Sequence, residues 1–520
     1  MKKEKKKRPK EQRKKRRKRI LILILVNLIA AASIFGIVVF AVPAAKISSY
    51  ESELNMEDSP TAEYADLMAD TDTVFSWAED LADMGERRPG TEAGTEAQQY
   101  VYDKFIEFGL EDVQIVESDS TLYDCTDYSL KVNGETVECY YIGYTGISEE
   151  YGDFSDDVTG ELVYVGDGDA SDFRNTDVEG KIVICDVTFT EVPLIGMKLL
   201  SYLYYDPDGE LPLFSSKTNP YGSEYLDAYA LAMENGAAGF IGVLTNYLDS
   251  CTYNNEDLRY ANDYEADLPG LWVSNAVGQE LIEASENGET AEMTLGGTFS
   301  EIQAGAVVGF VYGQSEETIM VESHYDSDTT GAAEDASGCA VMMAIADFYA
   351  QIPTEDLERS VMFLAMDTHF TDYDSHDSVI EEFLGEDSEI VCNLAVEHIA
   401  LEVEENEDGE AELTGEIDPR IFFVSDNDTL IDITNEEIVR HGLSKCIVLP
   451  SDTFGDELPT DADMFYQEGV PVINLISAPI YLYDEIDTLD KIAKEELVPT
   501  AECFSDILYR LMSLETEDFL

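Results

Sequence analysis

Positive charge is scarce in this sequence of 520 residues: 31 Lys+Arg stand against 109 Asp+Glu, for a formal net charge of −78. The imbalance is uneven as well, because residues 1–19 hold 14 of those cations and only two acids. That leaves a surplus of 12 positive charges on the tail and about −90 on everything after it. A surface that acidic repels nucleic acid and anionic lipid, which excludes a nucleic-acid role for the large part. Histidine is scarcer still, with five in the whole chain, so any metal or acid–base site draws on very few imidazoles. No disulfide framework is evident among the eight cysteines. Cys185, Cys392 and Cys446 sit in apolar runs and read as buried thiols. Cys125 and Cys139 flank a predicted hairpin, but a two-residue turn at Asn133-Gly134 would place Cys139 opposite Tyr128 rather than Cys125.

Charge is also missing from Ile20 to Val42, "ILILILVNLIAAASIFGIVVFAV", a run of 23 residues long enough to cross a hydrocarbon layer as a helix. The basic tail 1–19 then stays cytoplasmic, and the bulk of the chain lies outside the cell on a single-pass anchor. Small residues around Ala44 in "VPAA" leave a cleaved signal peptide as the alternative, although the run exceeds the usual apolar core of roughly 7–15 residues. Residues 43–70 turn polar and acidic without a sustained period and read as a stalk.

The length predicts two or three folded units. "TDTVFSWAEDLADMG" and "TEAQQYVYDKFIEFGL" space their apolar residues as helices, the second stopping at Gly109. From about 121 to 297 the pattern is of short strands and turns, a mixed α+β unit. After Phe299 strands and helices alternate strictly, and continuous apolar strands such as "ETIMVESH" and "RSVMFLAMD" imply a mostly parallel sheet covered by helices on both faces. In such an α/β fold, functional groups gather at the carboxyl ends of strands. His324, Glu334, Asp335, His369 and Glu397 or His398 fall at or just past those ends, and a lone histidine there can equally be a satisfied core residue.

Two resemblances extend this reading. "GKIVICDV", "AMENGAAGFIGVL" and "LPGLWVSNAVGQELIEA" resemble the recurring segments of a protease-associated domain, which implies a lid or recognition module inserted at 121–297. The remainder, 71–120 and 298–520, resembles the zinc aminopeptidases of metallopeptidase family 28. "RRPGTEAGTEAQQYVYDKFIEFGL", "SHYDS", "GAAEDASG", "TDADMFYQEGVPVINL" and "DTLDKI" carry that likeness. The resemblance implies, for active members, two zinc ions bridged by an aspartate, with a Glu-Glu pair whose first member is the general base.

Position by position the match is incomplete. His324 takes the first histidine's place and Asp326 that of its supporting aspartate. Glu334 stands at the bridging position, and Glu397 at that of the later acid. The Glu-Glu pair has become His369 and Phe370, and the late histidine is Tyr483. His324, Glu334 and Glu397 thus remain as ligand types for one zinc at most, while the subsite of Phe370 and Tyr483 has lost its ligands, since phenylalanine has no lone pair to donate. His369 could accept a proton at the base position. The sequence predicts a membrane-anchored extracellular protein with an impaired or inactive aminopeptidase-like ectodomain, binding peptides or a protein ligand. The alternative is a working metal-dependent aminopeptidase, and a cyclase-type acyl transfer has no specific support in these residues.

Overall fold

The computed structural model describes residues 46–519 apart from 51–53, 55–57, 148–150, 224, 255–265, 372, 386–387, 407–410 and 456. The expected tail 1–19 and anchor 20–42 lie outside the described residues; among the described residues no helix is long and apolar enough to cross a membrane. The chain divides into Met1–Leu54 and the compact unit Asn55–Leu520, and the latter holds everything that follows.

Eight helices are used below: α1 Thr71–Ala82, α2 Glu92–Phe108, α3 Tyr225–Glu234, α4 Asn275–Glu286, α5 Gly338–Ala350, α6 Asp374–Phe383, α7 Asp428–His441 and α8 Leu497–Met512. The first two begin where the sequence supplies caps. Asp70 accepts from the Thr73 amide at 2.8 Å and Thr91 from Gly94 at 3.0 Å, each satisfying an otherwise orphaned N–H. Gly109 closes α2 at φ 95°, a left-handed conformation that favours glycine. The segment read as a stalk ends sooner than residue 70, because the Ser59 and Thr61 hydroxyls both donate to Asp506 on α8.

The strands that build the main sheet are β1 Glu111–Val132, β2 Gly152–Tyr164, β3 Ile182–Val187, β4 Leu203–Tyr205, β5 Gly239–Leu244, β6 Gly270–Ser274 and β7 Thr290–Val311. They continue with β8 Thr318–His324, β9 Ser360–Met366, β10 Ile390–Val396, β11 Arg420–Val424, β12 Cys446–Pro450 and β13 Val472–Ser477. The spatial order is β6-β5-β3-β2-β7-β9-β8-β10-β13-β11-β12-β4, with β1 paired to β7. Its centre, β9-β8-β10-β13, is parallel, as continuous apolar strands demand, and each of these strands ends on the same edge. Toward both flanks antiparallel pairs enter, β7 with β9 on one side and β11 with β13 on the other. In the insert, β2, β3, β5 and β6 form a second parallel run.

The joint between the two parts differs from the expected loop crossings. β1 and β7 pair antiparallel along nearly their whole lengths, from Glu111 opposite Phe310 to Val132 opposite Ala291. Thr121 faces Glu301 and Cys125 faces Gly297, so the boundaries expected at 121 and 297 fall inside a continuous ladder. The insert also returns to the main body: β4 adds an edge strand beside β12, and Lys217 pairs with the buried Asp418. One apolar cluster accordingly contains Tyr123, Tyr229, Phe240 and Trp272 from the insert together with Phe370, Tyr481 and Tyr483 from the peptidase-like part. The Asn133-Gly134 turn is as expected, with both residues at positive φ, and all eight cysteines are free.

A shared core gives a definite outcome for deletion. Removing 121–297 and bridging the ends should yield an aggregating remainder, because Phe370, Tyr481 and Tyr483 lose most of the apolar residues they pack with and become exposed. A monomeric, cooperatively melting product in size-exclusion chromatography and calorimetry would contradict this.

Candidate metal centre

The parallel centre of the sheet delivers its side chains to one place. His324 closes β8, His369 follows β9 by three residues, and Glu397 and His398 follow β10 directly. Glu334 arrives from the turn between β8 and α5. Three contacts fix that turn: the Ala333 and Glu334 amides donate to Asp487 at 3.0 Å, the Arg87 guanidinium donates to the Gly331 carbonyl at 2.9 Å, and the Gly338 amide donates to Asp335 at 3.1 Å. Gly331 is required at its position, since φ is 51° and a Cβ would lie 2.1 Å from Ser327 Oγ. Asp335 is a structural carboxylate, occupied by Ser323, Gly338 and the His398 amide.

Three imidazoles surround Glu334. His324 Nε2 lies 3.3 Å and His369 Nε2 3.4 Å from Glu334 Oε1, and His398 Nε2 is in close contact with Oε2. Asp461, from the loop after β12, adds Oδ2 at 3.8 Å from His324 Nε2. All five are buried, His369 at 5 % exposure being the most open. Each imidazole engages an acceptor through its other nitrogen: His324 Nδ1 with Asp326 at 3.1 Å, His369 Nδ1 with Asp461 Oδ1 at 2.8 Å, and His398 Nδ1 with the Ser477 carbonyl at 2.7 Å. This is the arrangement that fixes the tautomer of metal-ligating histidines and aims Nε2 at the ion.

The donor set fits a cation on two counts. His324 Nε2, His398 Nε2, both Glu334 oxygens and Asp461 Oδ2 are buried without a hydrogen-bond partner, so they face one another without the orientation of a hydrogen bond. Buried polar atoms are seldom left so. Their separations also suit a shared ion, since ligands about 2.1 Å from a tetrahedral centre lie about 3.4 Å apart. The ligand-capable groups fall into two overlapping sets, His324 with Glu334 and His398, and His324 with His369 and Asp461.

Electrostatics agree with this crowding. Burial alone would raise Glu334, but His398, His324 and His369 outweigh it and hold the carboxyl well below its usual range. Burial would lower His369 and His398, yet Asp461 beside the first and Glu334 beside the second push them up to about 9 and about 10. The fourth histidine, His376, lies buried near this group against Tyr373 and Phe465 and is driven down to about 3 by burial, so it stays neutral. The fifth, His441, is bound to Asp506 at 2.9 Å far from the turn.

Two sequence-based assignments change. Glu397, expected as the third ligand, falls in neither ligand set. Its Oε1 accepts from Asn474 at 2.5 Å, burial raises its pKa, and His398 points into the cluster instead. A positive φ of 55° at His398, a conformation costing about 1–3 kcal/mol in a non-glycine residue, accompanies this exchange. His369, expected at the base position, has its Nδ1 held by Asp461 and its Nε2 turned to Glu334. Asp461 was not foreseen, and only its place in "TDADMFYQEGVPVINL" hinted at it. Phe370 and Tyr483 pack edge to face, ring centres 6.0 Å apart, with Tyr221 and Tyr253 against Tyr483.

The fold is α/β, and a buried His/Glu/Asp cluster that could hold a metal ion sits at the carboxyl edge of its parallel strands. A family model for peptidase family M28 matches residues 306–369, and one for the PA domain matches residues 158–281. Among solved structures the chain is similar to a peptidase M28 precursor from Shewanella amazonensis (TM-score 0.61, 16 % identity, covering 86 % of this chain and 98 % of that one). It is likewise similar to a zinc aminopeptidase from Bacillus subtilis (0.59, 16 %, 86 % and 97 %) and to an aminopeptidase from Aneurinibacillus sp. strain AM-1 (0.55, 19 %, 85 % and 94 %). No curated protein matches. The stretch that matches the peptidase family M28 model includes β8, β9 and His369, and the stretch that matches the PA domain model lies within the insert.

Proton competition follows from the raised histidines. Below about pH 9 His369 and His398 are imidazolium in the ion-free protein, and a cation requires them neutral, so affinity should climb as pH rises from 6 to 9 by about tenfold or more per unit. Zinc competition titrations against a chromophoric chelator measure it. A flat profile would exclude these imidazoles as ligands.

Proposed function

We propose that this chain is a membrane-anchored protein whose extracellular, aminopeptidase-like part holds one divalent ion of the zinc class and has little or no aminopeptidase activity. It serves instead as a binding ectodomain for peptides or a protein ligand. The observation that carries this is the Phe370–Tyr483 ring pair: where the family resemblance calls for ligands of a second ion, two aromatic side chains fill the space as core. No lone pair on Phe370 can replace a carboxylate. A phenol such as that of Tyr483 binds a cation well only once ionised.

An imidazole-rich donor set suits zinc better than magnesium or calcium. A zinc ion bound there would supply Lewis acidity and a more acidic bound water. Turnover also needs a proton acceptor and access for substrate. His369 is tied at Nδ1 to Asp461 and turns Nε2 to Glu334, so both of its nitrogens are already engaged and it is a poor base. All five cluster residues are nearly fully buried, which limits the approach of a peptide amino terminus.

The test is zinc content and activity of the purified unit 55–520. The expected result is at most one zinc per chain, lost in His324→Ala, with no release of leucine from leucyl-p-nitroanilide above the metal-free control. Two bound ions with rapid turnover would overturn the reading.

The anchoring half of the proposal rests on the charge bias around residues 20–42. Protease added to intact cells should remove the large domain and leave residues 1–19 protected. Recovery of a soluble chain beginning near Ala45 would show cleavage instead.

A further inference from the structure

A cavity of about 300 Å³ lies between the insert and the peptidase-like part and borders the cluster around Glu334 at Tyr221, whose hydroxyl is 3.4 Å from His398 Nδ1. One wall is Val192, Leu194 and Met197 of the insert, and the other is Ile421, Phe423 and Ile476 from β11 and β13. Phe454 stands among the lining residues with 53 % of its surface exposed, an apolar ring left facing solvent. A chain this rich in acid has no shortage of polar residues with which to close such a space.

The polar groups of the lining define what would enter by being already engaged. Lys217, its cation, is paired with the buried Asp418. Thr218 Oγ1 donates to Glu191 at 2.9 Å, and Asn219 Oδ1 accepts from the Tyr221 amide at 3.1 Å. The Tyr221 hydroxyl donates to the Ser477 carbonyl at 3.1 Å. A charged ligand would lose water here and gain no countercharge, since Lys217 is already paired, which costs more than it returns. An uncharged apolar molecule loses nothing on entry.

We infer that this cavity is a binding site for a small neutral apolar ligand of about two rings or the equivalent aliphatic bulk. The size follows from volume: an apolar cavity of about 150 Å³ accepts benzene, and pockets for drug-like ligands start near 300 Å³. The site is built from both parts of the chain, so the insert contributes a wall as well as a cover. It does not depend on the metal reading, because none of its lining residues is a cluster ligand.

The experiment is a fluorescence titration of the unit 55–520 with 1-aminonaphthalene, a two-ring probe that is neutral at pH 7. Saturable binding of one probe per chain is expected. Ile421→Trp, which fills the cavity from a partly exposed strand position, should weaken it by about tenfold or more. Phe454→Ala, at an exposed site that cannot compromise the core, should weaken it several-fold with an unchanged melting temperature. Absence of saturable binding, or affinities in Phe454→Ala and in a natively melting Ile421→Trp equal to the parent's, would overturn the inference. Should Ile421→Trp fail to fold, the Phe454→Ala result alone decides.

Discussion

One carboxylate, Glu334, organises this molecule's centre. It is 1 % exposed and pressed by three imidazoles, so it must be anionic and must be held against them. Each supporting element answers that requirement. Asp487 takes two amides of the turn, Arg87 clamps the preceding carbonyls from a distant loop, and Asp335 ties the turn to α5 and to the strand end of β10. Buried charge without such support is expensive, and with it the site is rigid. The parallel strands β8, β9 and β10 supply the imidazoles because they end on one edge, and β13 supplies the Ser477 carbonyl that holds His398.

The side chains around Glu334 sort into two kinds. The rings of Phe370 and Tyr483 pack on one side, and the imidazoles of His369 and His398 gather on the other, with Asp461 behind them. The aromatic side is continuous with the core that joins insert and peptidase-like part. Tyr221 spans both, its ring against Tyr483 and its hydroxyl on Ser477, whose carbonyl orients His398.

Much of this was legible in the sequence. Helical spacing and caps placed α1 and α2, apolar runs placed the parallel strands, and strand ends located His324, Glu334 and His369. The choice between Glu397 and His398 was not legible, since it turns on a positive φ at His398 and on Asn474 and Ser477 in a strand some 77 residues away. Asp461 was hidden for a similar reason: its loop position carries no periodicity, and only the fold brings it to His324 and His369. The ladder joining insert and body was missed because the polar alternation of 111–132 and 290–311 resembles two short strands as readily as one long one.

The central claim is a single ion among several imidazoles around Glu334. X-ray absorption at the zinc edge of the loaded 55–520 unit addresses it most directly. The account predicts strong multiple scattering from two or three imidazoles in the parent, reduced in His398→Ala and unchanged in Glu397→Gln, with no metal–metal vector. A second metal at about 3.5–4 Å, or a shell containing one imidazole that is insensitive to His398→Ala, would contradict it.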